Sequence, residues 1–306
     1  MSTRITQSMV STRVLSDLQN VSNQLSQTQE KLSSGKELTK PSDDPFATSQ
    51  ALSLSNDLEG TQQYERNVND ATSWANLTET TLGSINDAAQ RARTLLVQAA
   101  NDTNDTTDRS DIADEIDQLI ESIKGDANTQ YGGQYIFSGG ATSAAPYVVG
   151  GTPPNDNYQG NSGGIYRQIG PNVSVQINTV GSSVLGSGVS GDGGLISVLR
   201  GVSQHLRSGS ATDADALRTT DLSSLDASLD TISSARAVNG ATTNRLTSAT
   251  DRLSQLEQNT TSLLSDTQDA DMAKTMIDFS MQQTVYQSAL RAGANIVQAS
   301  LLDFLS

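Results

Sequence analysis

The 306-residue chain carries a formal net charge of −15, contains no cysteine, and has only 4% aromatic residues. That charge leaves no basic stripe to displace counterions from phosphates, which argues against nucleic acid and against anionic membrane surfaces. The lack of cysteine excludes disulfides, thiolate metal sites and Cys nucleophiles together.

The apolar 35% is drawn mostly from Ala, Leu, Val and Ile set among Ser, Thr, Asn and Gln, a mixture suited to helix-on-helix seams. The opening Met1-Ser2-Thr3-Arg4-Ile5 has no apolar core of a cleaved secretory signal. No stretch approaches the roughly 18 apolar residues of a membrane span.

Val14, Leu18, Val21, Leu25, Thr28 and Leu32 alternate spacings of four and three, the seam of a coiled coil. Gly35 can take the left-handed position that stops this helix, and Pro41 and Pro45 hold an extended link. A second helix is expected to start at Pro45 with Asp44 as its N-cap. From Tyr64 to Ala99 the same rhythm continues without proline. A helix from about 45 to 100 would span roughly 80 Å at 1.5 Å per residue, which predicts a rod.

The pattern breaks at Asn101–Asp108 and resumes at Ile112, Ile116, Leu119 and Ile123 as an antiparallel neighbour. Composition then changes. Residues 132–194 are dense in Gly and Pro, and Val173, Val175 and Ile177 alternate with polar residues as a half-buried strand. Tyr135–Phe137 and Ile165–Ile169 are further strand candidates. Helical patterns return at Leu195–Leu206 and from Asp213 onward, with seams through Leu222, Leu225, Leu229 and Ile232, then Leu246, Leu253, Leu256 and Leu263. Met272, Met276, Phe279, Gln283, Tyr286, Leu290, Gly293 and Val297 carry the last one.

The expected fold is mainly α: a long antiparallel helical rod, a coiled-coil bundle built from both chain ends, with a small inserted β domain. Residues 1–44 pair with 268–306, segments 45–131 and 195–267 form the rod, and 132–194 form the insertion. A three-heptad terminal helix is marginal in water without a partner. Pairing the two ends still leaves Met9, Val10, Ile277, Ile296, Leu301, Leu302 and Phe304 uncovered, so both ends are expected to complete their packing on identical neighbours. The expected assembly interface is Val14, Leu18, Val21, Leu25, Leu32, Met276, Phe279, Tyr286, Leu290, Val297, Leu301 and Leu302.

Lys31-Leu32-Ser33-Ser34-Gly35-Lys36 followed by Pro41-Ser42-Asp43-Asp44-Pro45 resembles the N-terminal signature of the bacterial flagellin family, and Arg4-Ile5-Thr6 fits it. Phe279-Ser280, Gln287-Ser288-Ala289-Leu290 and Ser300-Leu301-Leu302-Asp303-Phe304-Leu305 resemble that family's C-terminal helix. Gly133–Gly139 is similar to a turn in hook-associated relatives.

The form Lys40-Pro41-Ser42-Asp43-Asp44-Pro45 resembles the junction branch of the family. Filament flagellins usually carry an Ala-Lys-Asp-Asp-Ala type of sequence there. The resemblance implies a structural subunit of the extracellular flagellum, self-associating in a ring between an adjacent hook-associated protein and flagellin. It further implies type III export without a cleaved signal, and a cytosolic export chaperone binding at about 270–306. The second half of the β insertion matches nothing in the family. Filament flagellin itself is the near alternative, and a secreted coiled-coil effector or adhesin the distant one.

Chemistry-bearing motifs read as structural. Gly186-Ser187-Gly188-Val189-Ser190-Gly191 fits the dinucleotide pattern but lacks a βαβ setting. The acidic run from Asn101 to Asp111 lacks the glycine and bidentate Glu of a calcium loop, and Asp43-Asp44 reads as helix capping. His205, the sole histidine, has no metal or triad partner in sequence. Asn76-Leu77-Thr78 is a chance triplet, and Met272, Met276 and Met281 are seam packing. No catalytic, cofactor or metal residue is expected.

Overall fold

The computed structural model describes residues 7–100, 105–151 and 154–305. Its elements in chain order are α1 (Gln7–Ser34), α2 (Pro45–Ala99), α3 (Thr106–Ala127), β1 (Gln130–Tyr131), β2 (Gln134–Tyr135), β3 (Tyr166–Gly170), β4 (Val173–Gln176), α4 (Gly181–Val184), α5 (Leu195–Ser208), α6 (Ala211–Ala216), a π-helical turn (Leu217–Asp221), α7 (Leu222–Gln268) and α8 (Met272–Leu305). The fold is mainly α, with long helices from both ends of the sequence flanking a small β insertion. It divides into two compact units, Met1–Gly60 with Leu256–Ser306, and Thr61–Gln255. These boundaries fall inside α2 and α7.

Helix ends follow local chemistry. Gly35 adopts φ +70°, and its N–H closes on the Lys31 carbonyl at 2.9 Å, the left-handed stop expected there. Asp44 Oδ1 accepts from Phe46 N and Ala47 N at 3.0 Å each, so Asp44 caps α2 with Pro45 in the first helical position. Asp105 and Asp108 form a reciprocal capping box at the start of α3. Asn101–Asn104, in the acidic run, lie outside the described residues.

The second unit holds the core. Trp74, Leu82, Ile85 and Leu96 of α2 are fully buried with Ile116, Ile120 and Ile123 of α3, Leu199 and Val202 of α5, and Leu225, Ile232 and Leu246 of α7. Along α2 six of the fifteen buried positions are Ala, and such small side chains let helix backbones pack closely. α2 and α7 run antiparallel here. Asn239, buried, donates its side-chain amide to the Ala75 carbonyl at 2.9 Å. Arg236 and Arg93 reach across to Glu79 and Asp226.

The insertion is less regular than the alternating pattern implied. β1 and β2 form a two-residue hairpin around Gly132 and Gly133, whose positive φ values suit a tight primed turn. Ile136 and Phe137, read as strand, are instead buried outside any ladder. β3 and β4 pair antiparallel across a bulge at Gln168/Gly170. Side chains do much of the remaining work. Asn128 brackets Tyr147, donating to its carbonyl and accepting from its N–H. Tyr147 Oη donates to the Gly186 carbonyl at 2.6 Å. Tyr158 Oη donates to the Phe137 carbonyl at 2.8 Å, and burial pushes this phenol up to about 12.

A charged clasp joins the insertion to α3 and α5. Lys124, fully buried, donates to Glu121 and to Asp156, at 2.8 and 3.1 Å. Arg200 donates to Asp156 and Asp117 at 2.7 and 2.6 Å. Burial alone would raise the Asp156 carboxyl, but hydrogen bonds and charge from Arg200 and Lys124 outweigh it and hold the group below its ordinary value. A carboxylate depressed in the folded state contributes stability above its unfolded pKa of about 3.9, and that contribution is lost as pH falls through the folded value. Unfolding monitored against pH should therefore show stability declining below about pH 4. Asp156→Asn should remove part of that decline and cost on the order of 3 kcal/mol at neutral pH, because it leaves Lys124 buried with one fewer partner.

Candidate functional site

The first unit gathers the residues expected to carry assembly. Two short backbone hydrogen bonds tie the link after α1 to the end of α7 and the link before α8, Glu37 N to the Gln268 carbonyl at 2.8 Å and Ala270 N to the Gly35 carbonyl at 2.9 Å, with a longer third from Leu38 N to the Gln268 carbonyl at 3.5 Å. With the two links strapped together, α1 and α8 run antiparallel and pack along their length. On α1 the row is the expected one. Val14, Leu18, Val21, Leu25 and Leu32 are half-buried, and Thr28 is buried.

On α8 the seam is shifted from the sequence reading. Thr275, Phe279, Gln282, Tyr286, Ala289 and Gly293 face inward at 4-3 spacing. Phe279, Tyr286 and Gly293 belong to both rows, but Met276, Gln283 and Leu290 do not. Met276 and Leu290 are 59% and 45% exposed. The apolar residues chose the wrong row because two seam positions are polar: Thr275 donates to the Asp271 carbonyl of its own helix at 2.8 Å, and Gln282 is satisfied across the interface. Thr28 Oγ1 donates to Gln282 Oε1 at 2.6 Å.

Close approach decides the rest. A Cβ on Gly293 would sit 3.3 Å from Val14 Cγ1 and 3.5 Å from Leu18 Cδ1, so a methyl would press on Val14 and anything larger would push α8 away from α1. A glycine inside a helical pattern was the available signal for that contact. Val297, Leu301 and Leu302 lie within α8, and their side chains fall outside the described residues, as do those of Val10, Ile296 and Phe304.

Met276, Ile277, Met281, Val285 and Leu290 leave an apolar outer surface on α8, and Met9 and Leu15 do so on α1. Exposed large apolar side chains gathered on one pair of helices are candidates for an interaction site. What this arrangement offers chemically is surface burial.

The remaining motifs have structural partners. Asp192 fills the N-terminal end of α5. Its Oδ2 accepts from Ser187 N and Oγ at 2.5 and 2.7 Å, and its Oδ1 from Gly194 N and Ser197 Oγ at 2.8 and 2.5 Å. Burial would raise this carboxyl, yet the Ser197 and Ser187 bonds hold it low. An anionic side chain thus occupies the place a pyrophosphate would take.

Gly188 is required there for another reason. A Cβ on it would lie 1.7 Å from the Asp156 carbonyl oxygen. His205 Nδ1 lies 2.7 Å from Asp221 Oδ2, joining α5 to the π-helical turn. Among the described residues no group of three or more His, Asp or Glu is arranged to hold a metal, and no helix is long and apolar enough to cross a membrane.

Two family models account for most of the sequence. The bacterial flagellin N-terminal helical region matches residues 5–142, and the bacterial flagellin C-terminal helical region matches residues 222–305. The chain belongs to the bacterial flagellin family.

Within the family it is 28% identical over 292 residues to the flagellar hook-associated protein 3 of Escherichia coli, covering 90% of each chain. It is 29% identical over 315 residues to the flagellin of Bacillus subtilis, covering 99% of each. Identity alone does not separate these two branches. The solved flagellar hook associated protein-3 of Legionella pneumophila shares the fold, with a TM-score of 0.61 at 16% identity over 70% of this chain and 97% of that one. Both family models reach the paired terminal helices, so the shared part of the family includes the candidate interface.

Replacing Gly293 tests the seam. Gly293→Leu should force α8 away from Val14 and Leu18, at a cost of about 1–3 kcal/mol for overpacking. Limited proteolysis should then cut within α1 and α8 sooner than in the parent chain, with the Thr61–Gln255 unit unaffected.

Proposed function

We propose that this chain is a structural subunit of the bacterial flagellum that forms the junction between the hook-associated ring and the flagellin filament. The observation that carries the reading is the terminal helix pair: its seam is only half-buried in one chain, and α8 keeps an apolar outer surface. Such a surface is completed by neighbours rather than by ligands. Val14, Leu18, Val21, Leu25, Leu32, Met276, Phe279, Tyr286, Leu290, Val297, Leu301 and Leu302 form the assembly interface in this reading. The inward subset holds the pair together, and the outward subset, including Met276 and Leu290, meets adjacent subunits.

The paired segments 1–44 and 268–306 act as the assembling module, 45–131 with 195–267 as its support, and 132–194 as the outward elaboration. Self-association gives a ring, with a second hook-associated protein on one side and flagellin on the other. Export proceeds through the flagellar type III route without a cleaved signal. A cytosolic chaperone that covers about 270–306 beforehand would shield the apolar outer surface of α8 until assembly. The family relationship favours a role without enzymatic chemistry.

Filament flagellin is the second reading, favoured by the full-length similarity to the Bacillus subtilis protein. The run Lys40–Pro45, which resembles the junction branch, favours the first.

Electron microscopy of cells lacking the gene, with the medium assayed for flagellin, separates the two. Filamentless hooks with free flagellin in the medium are expected. Filamentless hooks with no flagellin anywhere would make this chain the filament protein, and normal filaments would remove both readings. In the same cells, Leu25→Asp should abolish complementation while circular dichroism of the purified chain stays helical, because a charge at a packed seam position cannot be buried unpaired.

A further inference from the structure

All the sulfur in this chain sits in its terminal segments. The five methionines are Met1, Met9, Met272, Met276 and Met281, and there is no cysteine. The second unit, Thr61–Gln255, packs its core with Ile, Leu, Val, Ala and the fully buried Trp74, and contains no methionine. Met1 lies outside the described residues. Met9, Met272, Met276 and Met281 are 61%, 46%, 59% and 57% exposed. A flexible thioether ordinarily fills irregular gaps in a core, and here every described one faces solvent instead.

Met276 and Met281 stand among Ile277, Val285 and Leu290 on the apolar outer surface of α8. At about 100° per residue they lie roughly 140° apart around the helix, so a change at both reaches two of its flanks. None of these neighbouring side chains carries a hydrogen-bond donor.

We propose that Met276 and Met281 are a site of reversible oxidation to the sulfoxide, which bars a free chain from assembly without unfolding it. The oxidant is a hydroperoxide. The sulfur gives an electron pair to a peroxide oxygen, an S–O bond forms, the O–O bond breaks, and with hydrogen peroxide the product that leaves is water. Sulfur is oxidised and peroxide reduced, and a methionine sulfoxide reductase restores the thioether. In the single chain water hydrates the new oxygen, so the fold is unaffected. Once neighbouring subunits cover it, the same oxygen is a buried acceptor among aliphatic side chains, which is unfavourable without a donor. The two states of one sulfur atom therefore differ in assembly and not in folding. The inference rests on the assembly proposed above and adds a control on it.

The purified full chain treated with hydrogen peroxide should gain one oxygen at each of Met276 and Met281, read by peptide mass spectrometry, with its circular dichroism unchanged. In flagella sheared from cells and treated alike, the same two methionines should oxidise several-fold more slowly. Met276→Gln/Met281→Gln, which places a neutral polar acceptor at each position, should reach the medium yet be missing from sheared flagella. Equal oxidation in free chain and flagella overturns the proposal and leaves self-association standing, and so does incorporation of the Gln variant at the parent level. Should the Gln variant lose helicity, the comparison of free and assembled parent chain decides alone. Absence of the parent chain from sheared flagella overturns the assembly reading, and this control with it.

Discussion

The strap between Gly35 and Glu37 on one side and Gln268 and Ala270 on the other sets the register of the terminal helices. Two backbone hydrogen bonds are modest in energy, each contributing about 1 kcal/mol net, but they act at the point where α1 and α8 begin their shared path. A slip by one position would move Gly293 away from Val14 and Leu18 and bring a larger side chain against them. It would also separate Thr28 from Gln282. The positive φ of Gly35 is thus more than a helix stop: it turns the chain so that its carbonyl can accept from Ala270.

The two units rest on different physics. The Thr61–Gln255 unit contains most of the fully buried apolar residues, and it has a buried ion cluster at Lys124 and Asp156 as well. Such a cluster adds little net stability compared with an apolar substitute, but removing one partner is costly, which makes it a strict specification of how the insertion meets α3 and α5. The terminal pair has no comparable core. Its seam mixes Thr, Gln and Gly with Leu and Val, and its helices keep methionine, isoleucine and leucine on the outside. The difference leaves apolar surface exposed on the described part of the terminal helices.

Much of the helical organisation was legible because its determinants are local. Asp44-Pro45, Gly35 and the Asp105 box each act within four residues, and the α1 row is apolar throughout except for Thr28. The α8 row was misread because Thr275 and Gln282 occupy seam positions that an apolar count gives to Met276 and Gln283. Only the partner across the interface reveals that Gln282 is satisfied there. The insertion was least legible. Its strands are two to five residues long, and Asn128, Tyr147, Tyr158 and Asn161 hold it through hydrogen bonds to distant backbone. Lys124 in particular gave no sign of being buried, since its partner Asp156 lies 32 residues away.

The cross-links between α2 and α7 in the second unit have a mechanical consequence. Arg93–Asp226, Glu79–Arg236 and Ala75–Asn239 join two antiparallel helices side by side. A pull along the helix axes would try to slide one past the other, so these contacts would be strained together, in shear. A sideways pull would instead separate them one after another, like a zip. The pair is therefore stiffer against a pull along its helix axes than against one across them.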